Sequence, residues 1–167
     1  MSLDNIQLTN YHLQYLYNKS LVDLEPKQEN TESLQVPSIY YLGKNEKGLI
    51  IIINEAEHAF LSDDDLNFLV KMMSACAITL ADMALVNIHL QSHADYQTIT
   101  QQLKPEKIIF FGTEPGLLSF PLEFPHYQVQ RYNKQDYLAA PALSVLQANK
   151  DEKTRLWVSL QKLFLLP

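Results

Sequence analysis

A chain of 167 residues has room for one hydrophobic core and little besides, and its 47% hydrophobic and 19% charged residues exclude wholesale disorder. With 13 Lys and Arg against 19 Asp and Glu, the net charge is −6. That is the wrong sign for gripping phosphate backbones over a broad face, so strong direct nucleic-acid binding is not expected.

Residues 4–24 predict an amphipathic helix. At about 100° per residue, Ile6, Leu13, Leu16, Tyr17, Leu21 and Leu24 fall on one side, and Leu8, Tyr11, Tyr15 and Val22 on the other. One apolar stripe suffices to pack a surface helix, so two stripes predict contacts on both sides. Residues 25–37 are polar, aperiodic and end in Pro37, which reads as a linker. The expected organisation is a helix and linker over 1–37 ahead of a single α/β domain over 38–167.

Within that domain, Ile39–Leu42 and Leu49–Ile53 predict two strands joined as an antiparallel hairpin through residues 43–48. The second run is continuously apolar, as in a strand covered on both faces. Ser62 with Asp65 has capping-box spacing, and the helix it opens carries Leu66, Leu69, Val70, Met73 and Ala77. Cys76 lies close to that stripe, which predicts a buried, inert thiol. As the only cysteine it also excludes an internal disulfide and a Cys-rich zinc site.

Residues 83–88 predict a strand, 96–103 a short helix and 107–111 a third buried strand, with a shorter last strand at 127–129. Asn149 and Glu152 have capping-box spacing before a helix carrying Leu156, Trp157, Leu160, Leu163 and Phe164. The sole tryptophan is expected to anchor that helix to the sheet. Strands alternating with helices predict an α/β three-layer sandwich, with a mainly parallel central sheet and an N-terminal antiparallel hairpin strand. No run of about 18 apolar residues occurs, and Met1–Asp4 lacks a signal-peptide start, which predicts a soluble cytoplasmic protein without a membrane partner.

Open α/β sheets bind ligands beyond the carboxyl ends of their strands. Glu55, His58 and His89 are the candidates there for acid/base work on a small molecule or nucleobase, with Asn54, Glu57, Asn87, Gly112, Thr113 and Glu114 nearby. His89 and His93 have a zinc-compatible i, i+4 spacing, but they fall where a strand gives way to a loop with no third ligand in register, so no metal is expected. The four glycines match no phosphate loop and no serine forms a nucleophile elbow, so no cofactor is expected.

Residues 140–149, Ala-Pro-Ala-Leu-Ser-Val-Leu-Gln-Ala-Asn, are followed after six residues by Leu156-Trp157. This segment resembles the C-terminal segment of the psi subunit family of bacterial DNA polymerase III. The match is carried by Pro-Ala-Leu, the leucine three further on, Ala-Asn and Leu-Trp, all in the family's spacing. The order of the earlier elements is similar as well.

The resemblance implies a non-catalytic adaptor at the clamp loader. An N-terminal segment would dock on clamp-loader subunits, here through Leu8, Tyr11 and Tyr15 in a helix-in-groove mode. The α/β body would bind a chi-like subunit. This chain departs from the best-known members in having tyrosines and no tryptophan in that N-terminal segment. The family's fold is similar to that of uracil-DNA glycosylases, but residues 54–58 and 112–116 lack the glycosylases' catalytic motifs. A homodimer using the tyrosine stripe on itself is a third reading.

Overall fold

In a computed structural model that describes residues 38–120 and 122–166, the long apolar runs become the centre of one sheet. Every residue of β2 (Leu49–Ile53) and β3 (Met83–Asn87) is buried, and four of the five residues of β4 (Lys107–Phe111) are. Such strands need cover on both faces, which a parallel sheet flanked by helices provides. The six-stranded order is β1-β3-β2-β4-β6-β5, where β1 is Leu42–Gly43, β5 is Gln130–Tyr132 and β6 is Gln135–Ala140. The pairs β3–β2, β2–β4 and β4–β6 are parallel, and the two edge pairs are antiparallel. Ile51 stands opposite both Leu85 and Ile109.

Side chains alternate across the sheet and divide the core in two. On one face Leu49, Ile51, Ile53, Leu85, Ile109 and Leu138 pack with Leu69 and Met73 of α1 (Asp63–Ala75), Leu143 and Leu146 of α3 (Leu143–Ala148), and Leu156, Leu160 and Leu163 of α4 (Lys150–Phe164). On the other, Ile50, Ile52, Ala84, Val86, Ile108 and Phe110 meet Ile99 and Leu103 of α2 (Tyr96–Leu103), together with Phe120 and Phe124. The result is the expected three-layer α/β sandwich.

The hairpin is elsewhere than expected. β1 is antiparallel, but it pairs with β3 and not with β2. Both edges of β2 are taken by parallel neighbours, so the chain after β1 runs along residues 81–83. The amides of Asn45, Glu46 and Lys47 donate to the carbonyls of Met83, Ala81 and Asp82. Gly43 permits this approach, because at φ +112° a Cβ there would stand 2.1 Å from the Met83 carbonyl oxygen.

The true hairpin is β5–β6, turned by Asn133 and Lys134 at φ 48° and 63°. Two positive-φ residues between paired strands is the arrangement that matches strand twist. The strand expected at 127–129 is instead a single bridge of His126 to Ala139 and a hydrogen bond from the Tyr127 amide to the Ala139 carbonyl.

The predicted caps form. Ser62 Oγ accepts from the Asp65 amide, and Asn149 Oδ1 accepts from the amides of Asp151 and Glu152. The Glu152 carboxylate accepts a hydrogen bond from the Tyr127 hydroxyl; burial, then that carboxylate, pushes the phenol upward. Cys76 is buried, and burial raises its thiol as well, in keeping with an inert role. Among the described residues, no helix is long and apolar enough to cross a membrane.

Two carboxylates lock local turns. Asp82 accepts from the Thr79 amide at 2.7 Å and hydroxyl at 2.9 Å, with the Lys47 ammonium at 3.2 Å. Asp95 caps α2 by accepting from the Thr98 amide at 2.7 Å. Hydrogen bonds from Thr79 and Thr98 hold the two carboxyls below the ordinary range. Depressed values mean that the folded chain binds fewer protons than the unfolded one. The stability these groups add is present above the ordinary carboxylate value of about 4 and is lost as pH falls through the lower folded values. Asp82→Asn with Asp95→Asn is therefore expected to lower the urea midpoint at neutral pH, with the gap to the parent closing in acid.

Candidate functional site

Three of the parallel strands deliver polar residues to their carboxyl ends: Asn54 and Glu55 after β2, Asn87 and His89 from β3, and Gly112 to Glu114 after β4. Of these, Asn87 is the most buried, at 1% exposure. Its Oδ1 accepts from the amides of Glu55 at 3.0 Å and His89 at 3.1 Å. Its Nδ2 donates to the carbonyls of Glu55, His58 and Ala59. Asn87 thus ties the backbone of the 55–59 loop to the end of β3. Its polar atoms are occupied by backbone partners, so its role is to hold the loop.

The candidates themselves are brought together only in pairs. His58 Nδ1 lies 3.8 Å from Glu55 Oε1, and His89 Nδ1 lies 3.2 Å from Asn54 Oδ1. Both histidines are exposed. The two pairs share Asn87 as a backbone support, and each satisfies itself at the surface. Among the described residues, no group of three His, Cys, Asp or Glu side chains could hold a metal ion, and the spacing of His89 and His93 gains no third member.

The strand order changes direction between β2 and β4, since β2 leads to β3 on one side and β4 connects onward to β6 on the other. This is the crevice where an open α/β sheet ordinarily seats a ligand. Here it is filled. Gly112 adopts φ +58°, and a Cβ on it would lie 2.7 Å from Ala142 Cβ and 2.9 Å from Ala142 Cα. The turn at 141–143 presses onto the end of β4 and leaves a hollow of about 70 Å³. That volume holds about two waters and no nucleobase.

Beside the filled crevice is a pocket of about 480 Å³, lined by Thr113, Glu114, Gly116, Glu123, Phe124 and His126 among others. Glu123 and His126 escape a reading of the sequence. They come from the long β4–β5 connection and reach the strand ends only because His126 bridges to Ala139. The paired prolines Pro121 and Pro125 mark that connection as irregular but do not say where it folds back.

A larger hollow, about 600 Å³, lies at the amino ends of β2 and β4. Its lysines are largely answered: Lys47 by Asp82, and Lys107 by Asp136. It is at the wrong end of the sheet for strand-end chemistry. Leu8, Tyr11 and Tyr15 lie outside the described residues.

Comparison of the sequence with protein-family models finds no match, and comparison with curated proteins finds none either.

Proposed function

We propose that this chain is a non-catalytic, psi-like accessory subunit of a cytoplasmic DNA polymerase III holoenzyme, an adaptor that works by protein–protein contact at the clamp loader. The observation that carries the reading is what the psi-like segment does in the fold. Ala142 closes the ligand crevice against Gly112, and Leu143 and Leu146 are buried behind it. Asn149 then caps α4, and Leu156 is buried at 1% exposure. Of the residues that carry the resemblance, Ala142 is the one that fills the crevice, and the leucines and Asn149 hold its segment against the sheet. The net charge of −6 agrees with a protein that touches partners and leaves DNA to them.

In this reading Leu8, Tyr11 and Tyr15 form the stripe that enters a groove on a clamp-loader subunit, and the body offers a surface to a chi-like partner. Affinity capture with the full chain from extract of its own cells is expected to recover clamp-loader subunits. Tyr11→Ala with Tyr15→Ala is expected to weaken that capture at least about tenfold, as loss of aromatic anchors does. The melting curve should stay that of the parent. Recovery of no replication protein would overturn the assignment.

A further inference from the structure

Two helices on the same face of the sheet leave a small apolar groove between them. Phe68 and Met72 on α1 are four residues apart, and Lys153, Trp157 and Leu160 on α4 follow at i, i+4 and i+7, so each set shares one helix face. Together these five residues line a hollow of about 210 Å³. Leu160 is its fully buried floor, and Phe68, Met72 and Trp157 are half-buried walls. The only polar lining residue is Lys153, whose Nζ lies 5.6 Å from the centroid of the Phe68 ring.

That cation rests on the Phe68 ring and has no carboxylate partner among the described residues. No ion pair among the described residues includes Lys153, although Asp64 stands one helical turn before Phe68 on α1. Lys71, next to Met72, and Lys150, one turn before Lys153, are also in none of those pairs. A side chain that fills the groove strips water from the Lys153 ammonium. The loss is offset only if the same partner brings an anion.

We propose that this groove is a docking site for an acidic amphipathic helical segment of a partner protein, its apolar anchor seated among Phe68, Met72 and Trp157 and a flanking carboxylate on Lys153. Met72 suits the site because its unbranched thioether adapts to anchors of different shape. A basic segment would set like charges together at the rim, so the single lysine gives the groove its selectivity. The groove's chemistry does not depend on the replisome assignment above.

Trp157 is the only tryptophan, so its emission reports on this groove in the unmodified full chain. Two synthetic helical peptides of about 15 residues, long enough to hold a helix, serve as probes. They share leucines at i, i+4 and i+7 and carry either glutamate or lysine at the flanking positions.

The acidic peptide is expected to produce a saturable blue shift, with the lysine peptide binding at least about tenfold more weakly. Lys153→Glu, at an exposed position, is expected to reverse that order, and Lys153→Met, which keeps the apolar stem, to abolish it. Equal binding of both peptides, binding of neither, or a preference that survives both substitutions would overturn the proposal. A blue shift that grows with protein concentration without peptide would assign the groove to a second copy, and would overturn it too.

Discussion

Replacement of Asn87 with alanine is expected to destabilise the body by about 3–5 kcal/mol, among the larger effects a single polar substitution produces. The side chain is 1% exposed and joins five backbone groups: two amides that it accepts from and three carbonyls that it donates to. A backbone group left without a partner costs up to about 1–3 kcal/mol, and since Glu55 is half-buried and His58, Ala59 and His89 are exposed, water recovers part of the total. Asn87→Asp is a sharper comparison. It keeps an oxygen for the amides of Glu55 and His89, but turns a donor toward three carbonyls into an anion. Urea denaturation monitored by Trp157 emission measures both, and an alanine variant within about 0.5 kcal/mol of the parent would remove Asn87 from this role.

Gly112→Ala is expected to cost about 2–5 kcal/mol from two sources that can be separated. A Cβ at φ +58° carries a left-handed backbone penalty of about 1–2 kcal/mol. The same Cβ would also sit 2.7 Å from Ala142 Cβ, an overpacking term of about 1–3 kcal/mol. Ala142→Gly removes the methyl on the other side. Ala142 Cα would still lie 2.9 Å from the new Cβ, so the double variant should regain only part of the packing cost and keep the backbone part, a coupling of about 0.5–1 kcal/mol in the cycle. Strict additivity would show that the turn at 141–143 does not seal the crevice.

These two positions also show where sequence reasoning reaches and where it stops. The runs at 49–53, 83–87 and 107–111 announce buried strands because each is apolar at nearly every residue, whatever its neighbours turn out to be. Ser62 and Asn149 announce helix starts because a cap acts within three residues of itself. That Asn54, Glu55, His58 and His89 gather at strand ends follows from the same reading. That Asn87 turns inward to hold a loop does not, since an asparagine after an apolar run looks the same whether it faces solvent or binds backbone. Glu123 and His126 were hidden for a related reason, as their place depends on how a connection containing Pro121 and Pro125 folds back.

The pairing of the edge strands belongs to tertiary structure as well. Apolar runs and turn residues say that Ile39–Leu42 and Leu49–Ile53 can both be extended, and proximity in the chain suggests a hairpin. The structure instead gives both edges of β2 to parallel partners, because burying its isoleucines on two faces outweighs a short local turn. Asn133-Lys134 turns the real hairpin without a glycine to mark it.

The amino-acid sequence by itself therefore determined the layers, the caps and the acidic, α/β character, all of which rest on interactions within a few residues or on composition. Only the tertiary structure decided which strands meet, that Ala142 fills the crevice beside Gly112, and that Trp157 walls a groove next to an unpaired Lys153. Each of those depends on residues far apart in the chain, and is settled by the burial of apolar surface, not by local preference.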